Sequence, residues 1–223
     1  MNKVLDSILL DGSAVESFYF NYSKKDFRKW ILSVLPEIEK CIETKQDNPW
    51  HIYNCMDHIL HSVEEMNKLS QGFDERTRKI LAYVMFLHDI GKPESHIRRF
   101  SKLYGREIDS FFNHNKASVK IADRVLSGFG FLKTEIYVMK KLIDMHDIFM
   151  FIRLQDDGNP FHYVLDKKYI NEQVLILDKV GDGRDLLKQL IMVGRADNLA
   201  QNPSMTGAPL KLLEVMSKMV DCK

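Results

Sequence analysis

The feature that most constrains the fold is a largely apolar run, residues 80–87, that ends directly on His88 and Asp89. Such a run, followed by Gly91 and Pro93, predicts a buried helix and its stop. Burying the Asp89 carboxylate is costly unless it is paired or bound to a metal. The dipole at the C-terminal end of a helix also disfavours a negative charge, and a cation nearby resolves that conflict. The doublet therefore predicts metal ligands at the end of a buried helix.

Apolar residues recur at helical spacing in almost every other segment. The first long segment covers residues 27–42, Asn54 is a fair N-cap for the next helix, and Asp74 caps the helix that runs to Leu87. Further helices are predicted over residues 116–126, 133–146, 171–179, 184–199 and 208–219. We expect irregular loops over residues 94–115, with room for one short helix, and 147–168, and a short helix plus an extended arm over residues 1–23. Because no segment alternates convincingly like a strand, the predicted fold class is all-α, a helical bundle with the metal site in its centre.

Composition limits the function classes. A chain of 223 residues is long enough for one well-buried domain. The net charge is +1, from 32 basic and 31 acidic residues, so no overall field draws the chain to nucleic acid or to an anionic membrane. Asp6 interrupts the N-terminal apolar residues, and no stretch approaches the roughly 18 apolar residues of a membrane span, so we expect neither a signal peptide nor a membrane protein. Cys41, Cys55 and Cys222 are odd in number and far apart, which favours reduced thiols and a cytoplasmic location.

Four further residues are candidates for the same site. His58 lies early in a helix, near the edge of its buried face, and taken alone is better explained as a core or boundary histidine hydrogen-bonded to the backbone. Asp197 lies on the packed face of the helix over residues 184–199, where it needs a partner, either Arg195 or a metal. His114 and His146 border predicted helices, where a single histidine is more often a capping or surface residue.

Two other histidines rank lower. His61 lies one turn after His58, and His51, in the turn before the helix, is a possible wall of the pocket.

In chain order these residues resemble the HD superfamily of metal-dependent phosphohydrolases, which are all-helical. Three segments carry the resemblance: residues 53–61 (YNCMDHILH), 86–93 (FLHDIGKP) and 195–200 (RADNLA). The sequences of these segments, with Phe112-Asn113-His114 before a helix, are similar to those of the HD domain of bacterial tRNA nucleotidyltransferases. The catalytic head of those enzymes has no counterpart in the first 45 residues. We therefore expect a stand-alone HD domain over residues 48–201, an N-terminal helical extension over 1–47, and a C-terminal helix over 202–223 that packs on the domain as part of one globular unit.

Two other branches of the superfamily fit less well. Lys92 stands where 5′-nucleotidase-like members carry glutamate. The Gly-Tyr-Pro signature of cyclic-di-GMP phosphodiesterases is absent.

The resemblance implies a metal-dependent phosphohydrolase, either a phosphomonoesterase or a phosphodiesterase, that uses a metal-activated water. The implied ligands of a first ion are His58, His88, Asp89 and Asp197. Two imidazoles and two carboxylates suit Mn, Fe, Co, Ni or Zn better than Mg or Ca. The resemblance leaves one or two ions open, because His114 and His146 are implied to bind either a second metal, bridged by Asp89, or phosphate. Asp89 and Lys92 are the implied catalytic residues, with Lys92 neutralising charge on the phosphoryl oxygens.

The expected substrate is a nucleotide or a similar small phosphate ester. Arg98, Arg99 and Arg106 are candidates to bind its phosphate, although a solvated basic loop explains them equally well. Aromatic residues near the site could stack on a base, but such residues more often pack a bundle. The alternative function is a catalytically silent module that binds a nucleotide or an RNA-processing partner.

The C-terminal stripe allows two interpretations. Its members either complete the core, which we favour, or form a homodimer face: Leu212, Leu213, Val215, Met216 and Met219.

Overall fold

The fold is a helical bundle, which confirms the predicted all-α class; the computed structural model describes residues 1–221, and Cys222 lies outside them. The first six helices are α1 (Asn2–Leu9), α2 (Ala14–Tyr22), α3 (Lys25–Val34), α4 (Glu37–Glu43), α5 (Cys55–Leu69) and α6 (Glu75–Leu87). The next five are α7 (His114–Val125), α8 (Lys133–Met145), α9 (Lys167–Leu177), α10 (Gly183–Leu199) and α11 (Gly207–Asp221). Two 3₁₀ turns cover Lys92–Ser95 and Ile148–Phe151, each beginning a few residues after a helix end.

Helices α5, α6 and α10 form the centre of the bundle. Asn54 and Asp74 cap α5 and α6 as predicted, because their side chains accept hydrogen bonds from the backbone N–H groups of Asp57 and Thr77. Every side chain from residue 81 to residue 87 is fully buried, so the C-terminal half of α6 is surrounded on all faces. Helix α5 packs against both α6 and α10, and α8 packs against α6 and α7. The C-terminal end of α6 therefore lies in the middle of the molecule.

The N-terminal part differs from the sequence prediction. Residues 1–23 form the two helices α1 and α2, not one short helix and an extended arm. Helix α1 is held on α6 by Asp6, which accepts a hydrogen bond from the Tyr83 hydroxyl at 2.7 Å and pairs with Lys79 at 2.8 Å. The predicted long helix over residues 27–42 is divided into α3 and α4, because Pro36 lacks the N–H that a continuous helix needs.

A β-hairpin replaces the irregular loop predicted after the His-Asp doublet. Strands β1 (His96–Ser101) and β2 (Arg106–Phe111) pair antiparallel, and a turn containing Gly105, which has a φ of 63°, joins them. The sequence pattern failed here because apolar side chains of the strands, such as Ile97 and Phe100, are exposed and do not mark a buried face. A second, minimal sheet pairs β3 (Ile152–Arg153) in parallel with β4 (Tyr163–Val164).

One hydrophobic core connects the helices, from Leu5 in α1 to Val220 in α11. Leu213 and Met216 of the C-terminal stripe are fully buried in it, which confirms the core interpretation of that stripe. Among residues 1–221, no helix has the length and apolar character needed to cross a bilayer. The proposed boundaries at residues 48 and 201 stay a prediction.

Candidate metal centre

Four side chains from three helices converge where α6 ends. His88 and Asp89 directly follow α6, His58 lies on α5, and Asp197 lies near the end of α10. Their side-chain nitrogen and oxygen atoms form one buried group that could hold a metal ion. His58 Nε2 lies 3.1 Å from Asp89 Oδ2 and 3.0 Å from Asp197 Oδ1, and His88 Nε2 lies 3.2 and 3.6 Å from the same two oxygens. His58 is fully buried, so its predicted position near the edge of the buried face was wrong.

A second group shares Asp89. Asp89 Oδ1, His114 Nε2 and His146 Nε2 lie within reach of a single ion. The oxygen is 3.0 Å from the His114 nitrogen and 3.5 Å from that of His146, and the two nitrogens are 3.1 Å apart. Asp89 thus presents one carboxylate oxygen to each group, which is the position of a bridging ligand.

The four imidazoles are oriented by backbone carbonyls. Nδ1 of His88, His114 and His146 lies 2.6–2.7 Å from the carbonyl oxygen three residues earlier, and Nδ1 of His58 lies 3.3 Å from the carbonyl of Ala200. A carbonyl oxygen only accepts hydrogen bonds, so each Nδ1 carries the proton. Each neutral ring therefore directs the lone pair of Nε2 into the cluster, which is the arrangement that metal-binding histidines adopt.

While the rings are neutral, the Nε2 lone pairs face carboxylate oxygens with no hydrogen between them. His58 Nε2, His88 Nε2 and Asp89 Oδ1 are buried and receive no hydrogen bond from residues 1–221. Buried polar atoms in folded proteins nearly always have a hydrogen-bond partner. Two buried acceptor atoms that face each other without a donor between them are therefore unfavourable. Positive charge at the centre, supplied by protons or by metal ions, removes the conflict. The chemistry of this donor set fits a divalent transition metal.

The shifted pKa values of the buried histidine and aspartates also indicate that positive charge is favoured at this site. Burial alone would lower the pKa of His88, but the charge of Asp89 and hydrogen bonding to Asp197 outweigh it and raise that pKa to about 9 in the metal-free protein. Burial would raise the pKa of Asp89, yet the charges of His88 and Lys92 hold it well below its usual range. The pKa of Asp197 is also well lowered, since the hydrogen bonds that His58 and His88 donate when protonated outweigh its burial.

Lys92 is buried beside the first group. Its Nζ lies 2.5 Å from Asp89 Oδ2, 2.8 Å from Gln46 Oε1 and 3.1 Å from His51 Nε2, so its three N–H groups all have partners. Burial and the charge of Lys92 hold the pKa of His51 well below its usual range, so His51 is a neutral acceptor. His51 therefore contacts the lysine, and its ring also packs edge-to-face against that of His58, with the two ring centres 5.0 Å apart.

The three arginines of the hairpin differ in their contacts. Arg98 contacts the carboxylates of Asp47 and Asp109 at 3.0 and 3.1 Å, and Arg106 contacts Asp47 at 2.7 Å. Arg99 has no carboxylate partner within residues 1–221; it donates to Ser110 Oγ at 2.7 Å and lies over the ring of Phe112. Two of the three predicted phosphate contacts therefore hold the hairpin on the turn that contains Asp47.

Two backbone features place His114 next to Asp89. Asn113 adopts φ 60°, a conformation that asparagine tolerates, and so turns the chain from β2 directly into α7. Gly91 lies against the first turn of α7, where a Cβ atom would be 2.5 Å from the Ser118 nitrogen and 2.6 Å from the His114 carbonyl oxygen. Glycine is required for this close approach.

Three polar residues of the site were missed in the sequence. Asp147 lies 3.1 Å from His114 Nε2, Gln201 donates to both oxygens of Asp197 at 3.1 Å, and Gln46 holds Lys92. One of them left a signal, because His146-Asp147 repeats the His-Asp doublet at the end of another helix. His61, ranked lower as a ligand, is absent from the cluster and pairs with Glu64 at 3.1 Å.

No protein-family model matches the chain. The description of the site therefore rests on its own geometry: a helical protein with a buried histidine–aspartate cluster able to hold a divalent metal.

Proposed function

We propose that this protein is a metal-dependent phosphohydrolase of the HD superfamily that acts on a nucleotide or a similar small phosphate ester. One observation carries the proposal: imidazole nitrogens and carboxylate oxygens converge in a buried centre where three of these atoms, His58 Nε2, His88 Nε2 and Asp89 Oδ1, have no hydrogen-bond partner among residues 1–221. A purely structural cluster of this kind would be unfavourable without a bound cation. The order of the ligands along the chain, which resembles the superfamily, links the centre to phosphate-ester hydrolysis.

His58, His88, Asp89 and Asp197 would hold the first ion. Bound there, a divalent transition metal supplies Lewis acidity and lowers the pKa of water so that it can attack phosphorus. The backbone carbonyls behind the histidines keep the rings in the ligating tautomer. Gln201 fixes the Asp197 carboxylate by donating to both of its oxygens.

Lys92 contributes a fixed positive charge. Its ammonium group is already bonded to Asp89, Gln46 and His51, so it acts on the phosphoryl oxygens through proximity and not through a free N–H. Burial would lower the pKa of Lys92, but the adjacent charge of Asp89 raises it, which keeps the lysine protonated. A charge held in a buried site stabilises developing negative charge more strongly than one in water.

Arg99 and Phe112 support a nucleotide as the substrate. Phe112 is 60% exposed and lies two residues before His114, and the Arg99 guanidinium lies 5.3 Å from the centre of its ring. Arg99 is thus the hairpin arginine best placed to receive a phosphate, while Phe112 offers a face to a base.

The proposal is tested by metal content and hydrolysis in a matched pair of variants. Protein purified without chelator and dialysed against excess Mn or Fe should retain metal and hydrolyse a nitrophenyl phosphate monoester or diester or a nucleotide. His58→Ala should lose the first ion and at least about a hundredfold in activity, since even outer-shell changes cost 10–100-fold. His61→Ala is the control, because it removes the same residue type one turn along α5 without touching the cluster.

Absence of retained metal in the wild type under any loading would refute the proposal. Equal metal content and activity in His58→Ala and His61→Ala would refute the assigned ligands. Retained metal without hydrolysis of any ester would favour the binding-module alternative.

A further inference from the structure

Asp147 lies at the open side of the second metal-binding group. It follows His146 at the end of α8, and its carboxylate oxygens lie 3.1 Å from His114 Nε2 and 3.4 Å from His146 Nε2. About a third of its side chain is exposed (32%), whereas Asp89 and His146 are almost completely buried. Asp147 is therefore the outermost carboxylate in contact with both histidines.

The side-chain atoms that approach His114 Nε2 and His146 Nε2 are hydrogen-bond acceptors. Because both Nδ1 atoms donate to backbone carbonyls, both Nε2 lone pairs point towards each other across 3.1 Å. Asp89 approaches the pair with one carboxylate oxygen and Asp147 approaches it with both of its own. One added proton would satisfy one nitrogen, and two would place two imidazolium charges in contact. A single cation with several coordination positions serves all the acceptors together.

The contacts of the two histidines also match the spacing of ligands around one ion. The five contacts that connect these four residues are between 3.0 and 3.5 Å. Bonds of about 2.0–2.2 Å from a transition metal to nitrogen and oxygen place neighbouring ligand atoms about 3.0–3.5 Å apart. Asp147 lies outside the group of Asp89, His114 and His146, whose ligand atoms are all within 4.8 Å of one another, so its carboxylate would have to move towards Asp89 to share the ion.

We propose that Asp147 is a metal ligand that completes a second ion site with Asp89, His114 and His146. The inference deepens the proposed function and depends on it, because Asp89 is shared with the first ion. The same assignment favours metal binding over phosphate binding as the role of His114 and His146. A phosphate that bound His114 and His146 directly would meet the negative charge of Asp147, whereas a cation between them is stabilised by that charge.

The position of Asp147 gives the second ion distinct properties. The first ion would be surrounded by side chains that are at most 11% exposed, but the second would be reached past a partly exposed carboxylate. We therefore expect the second ion to exchange faster and to bind more weakly than the first. The substrate would meet the second ion from this same open side.

Metal stoichiometry tests the assignment independently of catalysis. Wild type, Asp147→Asn and the control Asp144→Asn are loaded with Mn, freed of excess metal and measured by elemental analysis and by binding titration. Asp144 lies three residues earlier, where it pairs with Lys116 and not with the histidines. We expect two ions in wild type and Asp144→Asn, one in Asp147→Asn, and an unchanged affinity for the ion that remains.

A cysteine variant distinguishes the loss of a metal ligand from misfolding. Asp147→Cys should recover the second ion when loaded with Zn or Cd, which thiolates prefer, but not with Mn. The recovered ion should show an ultraviolet thiolate-to-metal absorption band.

The outcomes separate the two proposals. Two ions with unchanged affinities in Asp147→Asn would overturn the role of Asp147, and so would a wild type that binds one ion and an Asp147→Asn variant that binds it equally. A wild type that binds none would refute the metal-dependent function itself.

Discussion

Replacing Gly91 by alanine should separate the two halves of the metal centre. Gly91 lies between Asp89 and the 3₁₀ turn and packs directly on the first turn of α7. An added Cβ atom would be 2.5 Å from the Ser118 nitrogen, 2.6 Å from the His114 carbonyl oxygen and 2.7 Å from the Ala117 Cβ atom. Two of these neighbours are backbone atoms, which cannot rotate away as a flexible side chain can.

The size of the effect follows from these distances. Ordinary contact begins at 3.4 Å, so the first turn of α7 must move by 3.4 − 2.5 = 0.9 Å relative to Gly91. Overpacking of this kind costs about 1–3 kcal/mol. The hydrogen bond from the Gly91 N–H to Ser118 Oγ, now 2.9 Å, would lengthen and add about 1 kcal/mol. The total of about 2–4 kcal/mol corresponds to a fall in Tm of roughly 4–16 °C for a chain of this size.

The same movement should change metal binding. His114 Nε2 lies 3.0 Å from Asp89 Oδ1, and a displacement of 0.9 Å would bring the two atoms towards 3.9 Å apart. That separation exceeds the roughly 3.0–3.5 Å between neighbouring ligands of a transition metal. Gly91→Ala should therefore keep the first ion and lose or strongly weaken the second.

Urea unfolding and metal analysis of Gly91→Ala and Gly72→Ala check this reasoning. Gly72 has no heavy atom within 4 Å of an added Cβ and no positive φ, so its alanine variant should stay within about 1 kcal/mol of wild type. If Gly91→Ala equals Gly72→Ala in stability and also retains two ions, the close approach does not position His114 and the reasoning is refuted.

Two further predictions concern pH and the hairpin. The unfolded chain has a histidine pKa near 6.5 and the folded metal-free protein raises that of His88 to about 9, so the stability that this shift provides is complete below pH ~6.5 and is lost as pH rises through about 9. Urea unfolding of chelator-treated protein at pH 6.5 and 9.5 should show this loss, metal-loaded protein should show less of it, and equal midpoints without metal would contradict the pKa shift. Asp109 accepts hydrogen bonds from the Asp47 N–H at 2.8 Å and from His96 and Arg98, so Asp109→Ala should release the hairpin and speed tryptic cleavage around Lys102. Glu107→Ala is the matched control, since that carboxylate is 64% exposed and contacts Arg98 at 3.4 Å; equal cleavage rates in the two variants would contradict the anchoring role.

The sequence alone determined the helical class, and its resemblance to the HD superfamily indicated the four side chains that the fold brings together at the end of α6. Helical spacing of apolar residues and the caps Asn54 and Asp74 are local signals, and local backbone hydrogen bonding is what they control. The His88-Asp89 doublet was informative because a carboxylate after a fully apolar run cannot be buried without a partner. The sequence therefore indicated that the Asp89 carboxylate needs a partner, although it did not identify that partner.

Only the tertiary structure decided which further side chains meet around that doublet. The sequence placed Arg98 and Arg106 in a loop as phosphate contacts, whereas the folded hairpin turns them onto Asp47, a residue about 50 positions away. Asp147 and Gln46 acquire their roles through α8 and the turn before α5, which approach Asp89 from different sides. Pairings at long sequence separation depend on how helices pack and on which backbones can approach closely, as Gly91 permits. A periodic pattern records which face of a helix is buried, but not which neighbour that face will meet.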